Sequence, residues 1–130
     1  MKKRLVALLT TTVMLLFTTS AFADSVVHSW ACELNDGQTR EDVVAASSAW
    51  LKAAKSAEGG EDLKLFVDFR IAANVGDDNF NFVLVAADEK TWGTWYGAPD
   101  PDGVGAVANA AWSAVASCSS SSLWSSVEIE

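Results

Sequence analysis

The stretch Val26-Val27-His28-Ser29-Trp30-Ala31-Cys32-Glu33-Leu34 constrains the fold more than any other part of the chain. Its β-branched and aromatic residues predict a strand, and Asn35-Asp36-Gly37 ends it with strong turn chemistry. It also carries the chain's one histidine and one of its two cysteines, so strand, imidazole and thiol are fixed to a single element.

Upstream, Met1-Lys2-Lys3-Arg4 is followed by an apolar run from Leu5 to Phe17 and then by Ser20-Ala21-Phe22-Ala23. A basic start, an apolar centre and a small-x-small site predict a secretory signal over residues 1–23, cleaved after Ala23. The apolar run is shorter than the ~20 residues a membrane span requires. Periplasmic or secreted localisation is therefore expected, with one domain over residues 24–130. The whole chain has a formal charge of −8, and cleavage would remove Lys2, Lys3 and Arg4, leaving it more acidic still. Such a surface repels phosphate backbones and anionic headgroups, which argues against nucleic acid and membrane partners.

In an oxidising compartment Cys32 and Cys118 are expected to form a disulfide. Closing so long a loop contributes about 4 to 5 kcal/mol by loop entropy, comparable to the net stability of a small domain. Their spacing and the lack of further Cys and His ligands exclude a CxxC redox pair and a zinc site.

After the first strand, Thr39 and Asp42 resemble a capping box. The helix that follows has an inner stripe of Val43, Ala46, Ser47, Trp50, Ala54 and Ala57 and stops at Gly59-Gly60. Leu63 to Ala72 alternates as a strand with one buried face, Asn74 to Asn79 is a hairpin connection, and Phe80 to Ala87 is a strand apolar on both faces. Thr91 to Gly97 reads as a short helical turn and Ala98 to Gly103 as a loop. A second long helix is predicted from about Gly103 to Ala116, with Val104, Val107, Ala108, Ala111 and Val115 inward and Trp112 flanking them. Ser119 to Ser122 reads as a connection, and Leu123 to Ile129 as the last strand.

The order strand, helix, strand, strand, helix, strand predicts an α+β fold, a ferredoxin-like βαββαβ sandwich with one antiparallel four-stranded sheet and both helices on one face. In that topology the last strand runs against the first, which brings Cys118 to Cys32. If the helices cover Leu65, Val67, Phe69, Phe80, Phe82 and Leu84, then Phe66, Val83, Val85 and Trp124 lie on the other face. An apolar face of that size predicts a homodimer stacked sheet against sheet.

Val26 to Leu34 with Asp36-Gly37 and Thr39, then Phe80 to Ala87, then Trp92 and Trp95 leading into the second helix, resemble the dimeric α+β barrel group, which includes antibiotic-biosynthesis monooxygenase-like and NIPSNAP-like domains. The resemblance spans nearly all of residues 24–130. It implies a ligand pocket between sheet and helices, with His28 and Trp30 at its wall.

His28 is the one side chain with an ordinary pKa near neutrality and so the candidate general base. Trp92, Trp95 and Tyr96 precede Gly97-Ala98-Pro99 and, with Trp30, are the candidate ligand-binding residues. Trp50 and Trp112 face inward, where core packing is the role expected of both and lining of the same cavity is the alternative. Asp77-Asp78-Asn79 and Asp100-Pro101-Asp102-Gly103 lack the ligand set of a calcium loop, and Asp102 is expected to cap the second helix. No motif calls for a cofactor or a metal.

The sequence therefore predicts an exported domain holding a small apolar ligand between sheet and helices. One alternative is a cofactor-independent monooxygenase-like enzyme acting on an aromatic or quinone-like substrate with His28 as base. The other is a protein-interaction module using the exposed sheet face.

Overall fold

The structure is a computed structural model describing residues 24–71, 78–100, 104–127 and 129. Its elements in chain order are β1 (Ser25–Leu34), α1 (Arg40–Ser56), β2 (Lys64–Phe69), β3 (Asn79–Ala86), α2 (Glu89–Tyr96), α3 (Val104–Ser113) and β4 (Ala116–Ser126). The strands form one antiparallel sheet in the order β2-β3-β1-β4. This is the ferredoxin-like arrangement, with β1 central and β4 beside it at the edge. The predicted signal segment lies outside the described residues, as do most of the predicted hairpin connection and Asp102.

Local chemistry sets the helix boundaries. The Asp42 amide donates to Thr39 Oγ1 at 3.2 Å and the Thr39 amide donates to Asp42 Oδ2 at 2.9 Å, which completes the capping box of α1. At the far end Gly59 takes φ +78°, a conformation that disfavours side chains, and the chain turns back toward β2. Asp88 Oδ1 accepts from the Thr91 amide at 2.6 Å and caps α2. The Ala106 amide donates to Asp100 Oδ2, so Asp100 supplies a side-chain cap to α3.

All three helices pack on one face of the sheet. Val43, Trp50 and Trp112 meet Cys32, Phe80 and Phe82. Trp92 and Trp95 of α2 join Leu51 and Ala54 of α1 against Val26, Leu63 and Leu84. The sheet rows on this side read Leu65, Leu84, His28, Leu123 and then Val67, Phe82, Trp30, Ser121. Phe66 and Trp124 lie half exposed or more on the other face, with Val83 and Val85 between them, as the alternation of the strands requires.

Cys32 and Cys118 are register partners on β1 and β4 and are joined by a disulfide. A register shift after Ala31 absorbs one extra residue on β4, the feature of a β-bulge.

Three expectations are corrected. The expected turn at Thr91 to Gly97 is a complete helix, α2, started by the Asp88 cap. The serine run is not a connection, because β4 begins at Ala116 and, past the bulged Ser119, Ser120 to Ser122 pair with β1. Backbone pairing and the disulfide set that boundary, against the weak strand propensity of serine. The inner face of α3 is also rotated from its predicted stripe, so that Val107 is exposed while Ala108, Trp112 and Val115 turn inward. The Trp112 indole carries far more apolar area than a valine and donates from Nε1 to buried Ser47 Oγ at 3.1 Å, which decides the rotation.

Candidate functional site

β1 alternates, and its inward side chains Val26, His28, Trp30 and Cys32 face the helices. His28 is 8% exposed. Trp30 lies two residues along the same strand face, with its ring stacked on the imidazole at 3.7 Å between centroids and 26° between planes. From above, α2 brings Trp92 edge-on to His28 at 5.9 Å and Tyr96 to 6.3 Å. Trp92 and Tyr96, one helical turn apart, stack on each other at 4.7 Å. Four of the five residues singled out from sequence for catalysis or ligand binding thus form one aromatic cluster. The fifth, Trp95, reaches it through Tyr96 at 6.3 Å and packs on Trp50 at 6.0 Å.

Burial pushes the imidazole below its ordinary 6.5, so the ring stays neutral near pH 7. His28 Nδ1 and Trp92 Nε1 are both buried and have no hydrogen-bond partner among the described groups.

Beside this cluster a cleft of about 570 Å³ opens between the three helices and the sheet. Trp30 forms its floor, Trp50 and Trp95 its sides, and Tyr96 with Pro99 its rim. Ala53 and Ala54 of α1, with Ala57 at its C-terminal cap, face Gly105 and Ala108 of α3 across it. Small side chains where two helices meet leave the space that larger ones would fill. The Trp50 indole N–H donates to Asn109 Oδ1 at 2.6 Å, which fixes the orientation of that wall.

Two positions differ from expectation. His28 is not at the wall of the cleft; it sits behind Trp30, whose ring stacks over it. Trp92 is likewise set back against His28. Trp112 takes the core-packing role, against Phe80 and Phe82. The alanine lining was not singled out as a site, although Ala54 and Ala57 belong to the predicted inner stripe of α1.

A second concavity of about 390 Å³ lies on the open sheet face, lined by Glu33, Asp68, Arg70, Asn79 and Asn81 among others. Among the described residues no group of three or more His, Cys, Asp or Glu gathers to hold a metal ion. No helix among them is long and apolar enough to cross a membrane.

Comparison with protein-family profiles and with curated proteins returns no match. Among solved structures the chain is similar to SnoaB, a cofactor-independent oxygenase from Streptomyces nogalater, at 11% identity and TM-score 0.54, covering 82% of this chain and 97% of that one. A mutant of the same enzyme gives TM-score 0.55 over the same extents. A dimeric ferredoxin-like protein of unknown function from Thermobifida fusca is 16% identical at TM-score 0.49, covering 79% of this chain and 92% of that one. The likeness to the oxygenase structures shows a shared α+β fold. One fold hosts many chemistries, so the function is argued from the site.

Proposed function

We propose that this chain is an exported α+β domain that holds a small, flat, apolar ligand in the cleft beneath its helices. The cleft itself supports the reading: Trp30, Trp50, Trp95 and Tyr96 converge on a volume within the range of small-molecule sites. Aromatic faces bind planar apolar ligands by stacking and area burial, with little conformational entropy lost. The cysteines, closed in a disulfide, fit an oxidising compartment. Two copies stack through the open sheet face, where Phe66 is 50% and Trp124 61% exposed.

Titration with 1-naphthol, followed by tryptophan emission, tests the ligand reading. Ala108→Leu adds a side chain inside the cleft and should weaken binding roughly tenfold or more, a loss of at least about 1.4 kcal/mol. Equal affinity in the two proteins counts against it.

The enzyme reading stays as the alternative because His28 is a neutral imidazole with Nδ1 unpartnered, as a general base must be before it takes a proton. The position of the imidazole behind Trp30 weighs against direct contact with a cleft-bound substrate. Oxygen uptake with a hydroquinone, in the absence of flavin and metal, separates the two readings. Uptake that His28→Phe abolishes while 1-naphthol binding persists establishes the enzyme, and no uptake above the buffer rate leaves the binding domain.

A further inference from the structure

The two edges of the sheet are not alike. β2 is six residues long and carries Lys64 and Asp68. β4 runs for eleven residues, and every one after Ala116 is exposed. One side of β4 pairs with β1. As the sheet ends there, the N–H and C=O groups of its other side have no strand partner among the described residues. Protein edges are ordinarily blunted by charge, proline, brevity, a bulge or a covering element. β4 has only the bulge at Ser119, near its start; the sequence from Gly103 to Val127 contains no charged residue and no proline, and among the described residues the helix layer buries only Ala116 of the strand.

We propose that this edge pairs antiparallel with the β4 edge of a second copy of the chain, about a two-fold axis at Leu123. Beyond the bulge the regular part of the strand is Ser120–Ser126, and Leu123 is its middle residue. The axis opposes Leu123 with itself, Ser122 with Trp124, Ser121 with Ser125 and Ser120 with Ser126. Opposed residues then point to the same side, so the helix layers of both copies lie on one face of a continuous eight-stranded sheet. Leu123 is 51% exposed and Trp124 61%, and the pairing covers both.

Two features select a second copy over a foreign strand. Copies with a formal charge of −8 each repel wherever acidic surfaces meet, and this strip brings no charges together. A strand paired about its own midpoint is self-complementary, the contact from which closed symmetric dimers are built. The contact is made through backbone groups and is independent of the sheet-face stacking proposed above.

Native mass spectrometry of the secreted protein, with the variants Leu123→Lys and Phe66→Asp, separates the two contacts. If both form, the wild type contains four copies and each variant two. Leu123→Lys sets two lysines against each other at the axis, whereas an equimolar mixture of Leu123→Lys with Leu123→Asp restores the wild-type count. A wild type of two copies that Leu123→Lys dissociates and the mixture restores supports the edge pairing and removes the face stacking. A copy number unchanged by Leu123→Lys, a mixture that fails to reassociate, or a monomeric wild type overturns the edge pairing.

Discussion

The His28 imidazole and the Trp30 indole stack at 3.7 Å between ring centroids, neighbours on the inner face of the same strand. The arrangement gives Trp30 two functions, since one part of its ring covers the histidine and another forms the floor of the cleft. It also ties the ionisation of His28 to the folding of the domain.

Burial holds the folded-state pKa of His28 below 6.5, so in acid the unfolded chain binds a proton that the folded chain resists. Stability should be insensitive to this group above about pH 6.5 and should fall as the pH drops below that value. Urea unfolding between pH 4.5 and 8 checks this. His28→Phe, which keeps a ring beneath Trp30 and removes the titration, should flatten the slope.

A second acid step belongs to the helix caps. Hydrogen bonds from Thr39 to Asp42, and from Thr91 to Asp88, hold both carboxylates below their ordinary 3.8. Their contribution is present above that value and is lost as the pH falls through the lowered folded-state values. Asp88→Ala should remove part of this lower step and fray the start of α2, seen as loss of helical circular dichroism, while leaving the step near pH 6.5 in place.

The disulfide spans 86 residues. Cys32→Ser with Cys118→Ser should lower the stability by about 2 to 5 kcal/mol, read as a downward shift in the urea midpoint. The strand pairing around it does not depend on the sulfurs, so where the reduced protein folds, its far-ultraviolet spectrum should match the wild type.

At Gly60 an added Cβ would fall onto the Ala54 carbonyl oxygen, while at Gly59 it would press on the Trp95 backbone nitrogen at 3.0 Å. Gly60→Ala should therefore destabilise the end of α1 by more than ~1 kcal/mol, where a glycine replacement free of clash would be stabilising. Gly59→Ala should in addition push α2 away and weaken 1-naphthol binding, a loss that Gly37→Ala, with open space around its Cβ, should not show.

How much of this was legible in the sequence follows from where the chain has contrast. Alternation in Leu65 to Phe69 and Phe80 to Leu84 marks inner and outer faces, and the Thr39/Asp42 pair marks a helix start, so the topology and the disulfide could be read directly. The serine run has no such contrast. Its strand state comes from pairing with β1, a long-range cause that no local window contains. In α3 the valine spacing points to the wrong inner face, because in an alanine-rich helix the stripe is weak and the Trp112 bond to Ser47 decides the rotation. The cluster of His28, Trp30, Trp92 and Tyr96 was legible as chemistry, because aromatic residues announce themselves. A pocket between sheet and helices was implied by the family resemblance alone; the small residues that open it, Ala53, Ala54, Ala57, Gly105 and Ala108, were not legible, since their size acquires meaning only when two helices face each other.

The claim on which the functional account rests is that an apolar ligand enters between Trp30, Trp50 and Trp95. Of the chain's six tryptophans, Trp112 lies in the core and Trp124 on the open sheet face, so the indole N–H resonances in a nitrogen-15 correlation spectrum form a map of the molecule. On addition of 1-naphthol, the Trp30, Trp50 and Trp95 resonances should shift, with Trp112 and Trp124 unmoved. Shifts confined to Trp124, or none at saturating ligand, would contradict it.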